Sequence, residues 1–467
     1  MKNLSNHNQP TPPAKPVKAG EIRRVAVSGL GHSGEGVGRA GDFTVFVPGA
    51  LPGETVDVQI ELVKKTYARG RVRTVVTPSP DRRLPPCPVY EQCGGCQLQH
   101  LDYPAQLAAK QQQVSDAVSR IGRLQDITVR PVLGAVSPWH YRNKMQAPVG
   151  LAGSQPAIGC FAQGTHQIID NSCCLIQHQT NNRIAAAVKQ IVRELGVSVY
   201  QEKTHQGSLR HVLGRVGAGG EAMAVLVTAS RDLPYAAEFV TRLRRAVPEL
   251  VSIVHNVNDR RTNVILGSYT RTLWGKDAII DRIDGLDFRI SARSFFQVNT
   301  EQAAVLYRQA LQYAGLTGTE TVLDLYCGTG TISLFLARHC RRVIGVEIVA
   351  PAIEDARQNA ALNRIDNAEF ICGDAVDILP RLADQGTRAD VVVIDPPRAG
   401  CERRVLETIA AIAPERVVYV SCNPASLARD LAILAELGYE TQEIQPVDMF
   451  PMTSHVECVV LIERKKP

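Results

Sequence analysis

Hydrophobic and polar positions follow three different patterns along the chain. From residue 19 to residue 78, short alternating runs such as FTVFVP and ETVDVQIELV are separated by glycine-rich segments. A period of two is typical of half-buried strands, so this region predicts a small antiparallel β-barrel. The segment GEGVGRAGD lacks the strand-then-helix context of a nucleotide-binding loop, and we expect it to form turns.

The pattern changes at residue 79 and stays mixed to about residue 290. A helix is predicted over residues 103–121, and amphipathic helices are predicted near residues 181–195 and 233–246. Short β-like runs such as HQIIDNSCCLI, AMAVLVTAS and SIVHNVN lie around them. The mixture predicts an α+β domain, although the helix over residues 103–121 could instead pack on the region that follows.

From residue 291 to residue 467 the chain alternates between continuous apolar runs and helical segments. The runs are TVLDLYC, RVIGVE, AEFICGD, DVVVIDPP and RVVYVSC, and HVECVVLIER supplies a last strand. Continuous apolar strands are typical of a parallel sheet that is covered on both faces. This region therefore predicts a doubly wound α/β domain, which binds ligands at the carboxyl ends of its strands.

The composition is that of a globular protein, since 45% of the 467 residues are hydrophobic. No run of about 18 apolar residues occurs, so we expect no transmembrane helix. Residues 1–18 are polar and proline-rich and lack the apolar segment of a signal peptide, which predicts a disordered arm. We therefore expect a cytoplasmic monomer that does not contact a membrane.

Glycines and carboxylates stand where the apolar strands of the C-terminal region end, at Gly328, Gly330, Glu347, Asp374 and Asp395. Glycine lets the backbone approach a ligand closely, and an acidic residue ending the second strand is placed to bind ribose hydroxyls. The set predicts a ligand that contains a nucleoside. Ser333 stands where dinucleotide-binding enzymes have a third glycine, which favours S-adenosylmethionine.

Cys422 is the candidate nucleophile. It follows the strand RVVYVS and precedes a helix, where a thiol can have a lowered pKa and be partly ionised. A buried, inert cysteine is the alternative interpretation. Asp395 and Glu457 favour the catalytic one, because they would place a carboxylate and a base beside the same cleft.

Cys87, Cys93 and Cys96 have the spacing C-x₅-C-x₂-C. Thiolates grouped on a glycine-containing loop indicate a site for a soft metal, and zinc accepts the same ligands. Cys173 and Cys174 are the nearest candidates for a fourth ligand, and adjacent side chains of a strand cannot face the same way. We expect the cysteines outside these two sites to pack in the core.

Residues 64–73, KKTYARGRVR, carry five basic side chains and no acidic one. The net charge of the whole chain is only +6, so the grouping is more informative than the total. A surface that contacts phosphates explains this stretch better than a solvated strand face does.

The C-terminal third resembles the RNA uracil-C5 methyltransferases that use S-adenosylmethionine. The matching segments, in the family's order, are SFFQVN (294–299), DLYCGTG (324–330), GVE (345–347), DPPRAG (395–400), SCNP (421–424) and HVECVV (455–460). The resemblance implies a Rossmann-like class I methyltransferase domain over residues 291–467. It also implies that the cofactor is contacted by Gln297, Tyr326, Glu347, Asp374 and Asp395.

The resemblance further implies a mechanism. The Cys422 thiolate would add to carbon 6 of a uracil, which makes carbon 5 nucleophilic enough to take a methyl group. Glu457 would then remove the proton from carbon 5, and elimination would release the cysteine. His455 and the Phe295–Phe296 pair are not assigned to the chemistry, and we expect a turn-capping histidine and buried aromatics.

By the same resemblance, Cys87, Cys93, Cys96 and Cys174 bind a structural [4Fe–4S] cluster within the central domain of residues 79–290. Residues 19–78 resemble a TRAM domain, a small RNA-binding barrel whose basic strand would contact phosphates. Family members with both features often act on large-subunit ribosomal RNA. We therefore expect 23S ribosomal RNA as the substrate, with transfer RNA as the alternative.

Three other functions compete with this one. Enzymes that methylate exocyclic amino groups also carry D-P-P but need no cysteine, and cytosine-C5 methyltransferases use a cysteine adduct without the contexts of Gln297 and Glu457. An inactive iron–sulfur RNA-binding protein would have lost its cofactor motifs. All of these motifs are present, which favours an active enzyme.

Overall fold

The computed structural model describes residues 16–171 and 173–466. The chain divides into two units, one comprising Met1–Leu84 with His100–Asp102 and the other Pro85–Gln99 with Tyr103–Pro467. The disordered arm expected over residues 1–18 lies, up to residue 15, outside the described residues. Within the described part, no helix is long and apolar enough to span a membrane.

The first unit is a closed five-stranded barrel in the order β1-β2-β3-β5-β4. The predicted barrel is confirmed, but it is not wholly antiparallel, because β3 pairs with β5 in parallel. Its interior is filled mainly by valine side chains. The strands are β1 (Ile22–Leu30), β2 (Gly36–Ala40), β3 (Phe43–Val47), β4 (Thr55–Val63) and β5 (Tyr67–Thr77).

The prediction that GEGVGRAGD forms only turns is wrong, because β2 occupies its centre. A Cβ atom at Gly38 would lie 2.4 Å from a methyl carbon of Val25 and 2.5 Å from the Ala26 carbonyl oxygen. Neighbouring backbones of this narrow barrel therefore approach so closely that only glycine fits in the strand.

The middle of the second unit carries a seven-stranded sheet in the order β13-β12-β11-β10-β7-β8-β9, and β14 pairs with β15 beside it. The apolar faces of two amphipathic helices, α2 and α3, pack on the larger sheet. The elements up to residue 291 are α1 (Tyr103–Arg120), β6 (Thr128–Val129), β7 (Lys144–Ala152), β8 (Gln155–Phe161), β9 (Ile168–Asp170), α2 (Gln179–Leu195), β10 (Leu209–Val216), β11 (Ala222–Thr228), α3 (Ala236–Ala246), β12 (Leu250–Val257), β13 (Tyr269–Gly275), β14 (Ala278–Ile283) and β15 (Leu286–Ser291).

The C-terminal region forms the predicted doubly wound α/β fold around an eight-stranded sheet in the order β18-β17-β16-β19-β20-β22-β21-β6. Strands β16 to β20 run parallel, and β22 is antiparallel to β20. The elements are α4 (Thr300–Ala314), β16 (Thr321–Leu325), α5 (Thr331–Ala337), β17 (Arg342–Glu347), α6 (Ala350–Leu362), β18 (Ala368–Cys372), α7 (Ala375–Asp384), β19 (Val391–Ile394), α8 (Arg403–Ile412), β20 (Arg416–Ser421), α9 (Pro424–Glu436), β21 (Tyr439–Val447) and β22 (Glu457–Arg464).

Two elements from the region before residue 291, helix α1 and strand β6, pack with this C-terminal sheet. Helix α1 packs against α9, and β6 pairs in parallel with β21 at the sheet edge. One hydrophobic core also joins β10 and β11 of the seven-stranded sheet to β16 and β20 of the parallel sheet. The side chains that approach the strand ends therefore come from both regions of the sequence.

Candidate active site

A cavity of about 910 Å³ opens at the carboxyl ends of the parallel strands. The strand order reverses between β16 and β19, which is where open α/β sheets bind ligands. Six predicted residues line it together: Gln297, Tyr326, Glu347, Asp395, Cys422 and Glu457. Residues as far apart in the sequence as Gln297 and Glu457 therefore meet in one cavity.

Backbone geometry places the Glu347 carboxylate at the floor of the cavity. Its Oε2 accepts a hydrogen bond from the Gly328 amide at 3.2 Å, and its Oε1 accepts one from the Val349 amide at 2.9 Å. Tyr326 and Gly328 have φ values of 63° and 56°, so the turn after β16 is left-handed on both sides of Cys327. The turn brings the backbone and the carboxylate against the same ligand space.

The cavity is rich in carboxyl groups. Five acidic side chains line it, Asp324, Glu347, Asp355, Asp395 and Glu457, together with Arg293 and Arg398. Asp324 is fully buried; its Oδ2 accepts a hydrogen bond from Ser333, whereas its Oδ1 has no partner. These groups fit a cationic ligand such as S-adenosylmethionine, which carries a sulfonium and an ammonium group.

Burial and mutual repulsion raise the pKa values of the acidic groups around the candidate nucleophile. Burial raises the pKa of Asp395 to about 7. The pKa of Glu457 lies well above its usual value because of burial and the nearby Asp395, while Arg398 acts in the opposite direction. Burial and the neighbouring Asp395 therefore favour the neutral form of the Glu457 carboxyl group.

The expectation that Cys422 has a lowered pKa is wrong. Burial raises the pKa of its thiol to about 11, and Glu457 and Asp395 add to the effect, which Arg398 only partly offsets. The predicted position of Cys422 between a strand and a helix is confirmed, since β20 ends at Ser421 and α9 begins at Pro424. Asp395 and Glu457, which the sequence analysis placed beside the same cleft, oppose ionisation of this thiol instead of promoting it.

The loop that carries Asp395 and Arg398 is fixed by α9. Asp430 is fully buried and accepts hydrogen bonds from the Tyr419 hydroxyl at 2.7 Å and the Cys401 amide at 2.8 Å. Arg429 donates to the carbonyl oxygens of Ala399 and Cys401. A Cβ atom at Gly400 would lie 2.5 Å from both Arg429 and Asp430, so this glycine leaves room for the polar network.

The segment that carries Gln297 is held by the middle of the chain. The Asn143 side chain donates to the Gln297 carbonyl oxygen at 2.9 Å, and the Asn143 amide donates to the Val298 carbonyl oxygen at 2.8 Å. Arg215 donates to the Ser294 carbonyl oxygen. Of the phenylalanine pair, Phe296 is buried as expected, but Phe295 is 66% exposed beside the cavity.

Asp374 differs from the other predicted cofactor residues, because it does not line the cavity. Its side chain caps α7 by accepting a hydrogen bond from the Val376 amide at 3.0 Å. It lies near Tyr326, whose pKa it helps to raise. Sequence reasoning missed lining residues with no strand-end signal, namely Asp355 on α6, and Phe450 and His455 between β21 and β22.

The cysteines of the C-x₅-C-x₂-C segment lie near each other and near Cys174. Burial raises the pKa of Cys96 to about 12, and the thiols of Cys174, Cys93 and Cys87 add to the effect. Cys160, expected to pack in the core, lies against Cys93. Within residues 16–171 and 173–466, however, no group of three or more His, Cys, Asp or Glu side chains is arranged to hold a metal ion.

Cys174 and Cys173 lie outside any strand, so alternation along a strand does not distinguish them. Cys173 is exposed, whereas Cys174 is partly buried near the other thiols.

The basic residues of segment 64–73 in the barrel are all exposed: Lys64, Lys65, Arg69, Arg71 and Arg73. Two of them are in ion pairs, Arg69 with Glu35 at 3.7 Å and Arg71 with Glu61 at 3.2 Å.

Comparison with known proteins matches both units. The family profile described as tRNA (Uracil-5-)-methyltransferase matches residues 276–465, and the TRAM domain profile matches residues 16–72. An uncharacterized RNA methyltransferase of Halalkalibacterium halodurans is 51% identical over 451 residues, which are 96% of this chain and 98% of that protein. An uncharacterized RNA methyltransferase of Bacillus cereus is also 51% identical, over 96% of this chain and 98% of its own.

A solved structure matches most of the fold. It is the Pyrococcus abyssi tRNA (uracil-54, C5)-methyltransferase in complex with S-adenosyl-L-homocysteine, with a TM-score of 0.75 and 29% sequence identity. The match covers 94% of this chain and 100% of that one.

Proposed function

The chain belongs to the family of S-adenosylmethionine-dependent RNA (uracil-5-)-methyltransferases, and we propose that it methylates carbon 5 of one specific uridine in ribosomal RNA. The observation that carries the proposal is the grouping of Cys422, Asp395 and Glu457 in one cavity with the strand-end carboxylates. An amino-group methyltransferase has no use for a cysteine at this position, and a scaffold protein needs none of the three.

Cys422 and Glu457 divide the chemistry between them. The sulfur of Cys422 bonds to carbon 6 of the uracil, and the electron pair of the 5,6 double bond moves toward carbon 5 and the carbonyl at carbon 4. When bound, S-adenosylmethionine supplies the electrophilic methyl group and a positive charge beside the carboxyl groups. Carbon 5 would form its bond to that methyl group, with S-adenosylhomocysteine as the leaving group. Glu457 then takes the proton from carbon 5, the double bond re-forms, and the carbon–sulfur bond breaks, which returns Cys422 as a thiolate.

Two changes of protonation must precede this sequence. The Cys422 thiol must lose its proton and Glu457 must be ionised before it can act as the base, although burial raises both pKa values. A cation within the cavity lowers both, because it stabilises the thiolate and the carboxylate together. Cys422 is thus expected to be unreactive until the cavity is filled.

The cofactor would be held by four residues that line the cavity: Gln297, Tyr326, Glu347 and Asp395. Asp374 would act at the edge of the cavity through Tyr326.

We propose further that Cys87, Cys93, Cys96 and Cys174 hold a [4Fe–4S] cluster, with zinc as the second candidate. The support is chemical, since three thiols with the expected spacing lie near each other and near the thiol of Cys174. When bound, such a group would neutralise their charges and fix the loop that carries three of them. The exposed basic residues around β5 would contact RNA phosphates, which makes binding salt-sensitive.

Transfer RNA is a second candidate substrate, because the matching family profile and the Pyrococcus abyssi enzyme both carry its name. Covalent trapping separates the two. Ribosomal and transfer RNA containing 5-fluorouridine are each incubated with the protein and S-adenosylmethionine. Fluorine does not leave as a proton does, so a covalent protein–RNA complex accumulates on the true substrate.

We expect an adduct with 23S ribosomal RNA that forms with Cys372→Ala, a change at an exposed cysteine outside the cavity, and not with Cys422→Ala. An adduct with transfer RNA alone would reverse the choice of substrate. No adduct with either RNA, from a protein that still binds S-adenosylmethionine, would remove Cys422 as the nucleophile.

A further inference from the structure

The loop that carries the cysteines makes direct backbone contact with the loop that leads into Glu457. We call residues 87–98 the cysteine loop and residues 448–456, between β21 and β22, the 448–456 loop. The amides of Gln97 and Leu98, which follow Cys96, both donate to the Met452 carbonyl oxygen, at 3.1 and 3.0 Å. Met452 has a φ of 67°, a left-handed conformation that residues with a side chain rarely adopt.

Gln106 closes this contact into a three-way junction. It lies on α1, is fully buried, and its Nε2 donates to the Leu98 carbonyl oxygen at 3.0 Å. Its Oε1 accepts a hydrogen bond from the Met452 amide at 3.2 Å, and Nε2 also contacts the Met452 sulfur at 3.3 Å. One side-chain amide thus bonds to both loops at once.

The 448–456 loop has a direct place in the active site. Phe450 and His455 line the cavity, and Glu457 follows as the first residue of β22. The other end of the loop is fixed by a buried ion pair, in which the Lys110 ammonium lies 2.5 Å from the Asp448 carboxylate. The Met452 junction is therefore where the cysteine loop acts on the segment between this anchor and Glu457.

We propose that Gln106 is a positioning residue that ties the cysteine loop to the 448–456 loop, so that order at the cysteine site sets the rate of proton removal by Glu457. The inference rests on the proposed function for the role of Glu457. It assigns the cysteine site an influence on catalysis that acts through the backbone of residues 97, 98 and 452. S-adenosylmethionine binding, which would involve Glu347 on β17 and not the 448–456 loop, should not depend on the junction.

Three variants on one helix test the inference. Gln106→Met keeps the length of the side chain and removes the hydrogen bonds that its amide group makes to both loops. Gln106→Glu keeps the acceptor for the Met452 amide. The control, Gln112→Met, changes an exposed glutamine whose hydrogen-bond partner is Asp116. We expect kcat to fall about ten- to a hundredfold in Gln106→Met, less in Gln106→Glu, and not in Gln112→Met. S-adenosylhomocysteine affinity should remain within twofold, roughly the error of such comparisons.

Two readouts distinguish positioning from general damage. Gln106→Met should accumulate the covalent RNA adduct on normal uridine, because attack by Cys422 precedes the slowed step. Hydrogen exchange should accelerate within residues 448–456 in Gln106→Met, and in Cys96→Ser but not in Cys173→Ser. Unchanged exchange in Cys96→Ser, or a fall in kcat without adduct accumulation, would overturn the proposal. Absence of any adduct between the unmodified protein and RNA that contains 5-fluorouridine would instead reject the proposed function, while the exchange experiment would still report on the junction.

Discussion

The cavity and the cysteine loop both hold reactive side chains close together, but they do so with different kinds of structure. In the cavity, Glu347 ends β17, Asp395 follows β19, and Cys422 follows β20, so a regular sheet sets their spacing. The cysteine loop contains no helix or strand within its described residues 87–98. Its position depends on individual hydrogen bonds, one each to Phe161 and Gln106 and two to Met452.

In both regions the surroundings oppose ionisation of a cysteine thiol. Burial raises the pKa of Cys422 in the cavity and of Cys96 in the loop, and neighbouring acidic or thiol groups raise both further. A cation placed among such groups restores their ionised forms, and in the two sites the proposed cations are a sulfonium and a metal centre. The difference teaches that a sheet edge sets the spacing of such a site through regular strand pairing, whereas a loop relies on individual side-chain and backbone contacts.

The largest expected effect is in the cavity. Glu457→Gln keeps the size of the side chain but removes the base, so kcat should fall by about 10² to 10⁴. Methyl transfer should still occur once per active site, leaving an RNA adduct that is detectable on a denaturing gel. The melting temperature should not fall, because burial favours the neutral form of Glu457 already. Normal turnover in Glu457→Gln would assign proton removal to another group.

Lys110→Met should destabilise the fold more than it alters the chemistry. It leaves the fully buried Asp448 carboxylate without its cation, which should lower the free energy of unfolding by about 3–5 kcal/mol. The matched control, Lys276→Met, breaks an exposed pair with Glu221 and should cost no more than about 1 kcal/mol. Equilibrium urea unfolding measures both, and equal effects would show that the 448–456 loop is not anchored by this pair.

The adjacent residues Cys173 and Cys174 allow a metal ligand to be distinguished from a neighbouring cysteine that binds no metal. Cys174→Ser should weaken metal binding at least about tenfold, because oxygen replaces a soft thiolate donor, whereas Cys173→Ser should not. Metal and sulfide analysis of anaerobically purified protein measures the difference. Loss of metal from Cys173→Ser alone would exchange the two assignments, and equal retention would remove both from the donor set.

The same contrast explains what could be predicted from sequence. The parallel sheet and its strand-end residues were recognised because continuous apolar strands and the polar residues after them are local signals. Strand β21 was not predicted because polar residues and Pro446 interrupt its apolar pattern. Strand β6 was not predicted because it has only two residues. No local pattern marks Asp355, Phe450 or the contact of Cys160 with Cys93, because these depend on long-range packing.

The smallest expected effect concerns how the cavity distinguishes a charged ligand from a neutral one. Burial raises the pKa of Asp395 to about 7, so its carboxylate forms as the pH rises from 6 to 7.5. S-adenosylmethionine carries one more positive charge than S-adenosylhomocysteine, and its affinity relative to that of the product should therefore increase about three- to fivefold over this range. Calorimetric titration of both ligands measures the ratio. Asp395→Asn should reduce the change, while Asp374→Asn, outside the cavity, should leave it intact. A ratio that is independent of pH in the unmodified protein would mean that Asp395 is ionised throughout, and that a cation is not needed to activate the carboxyl groups around Cys422.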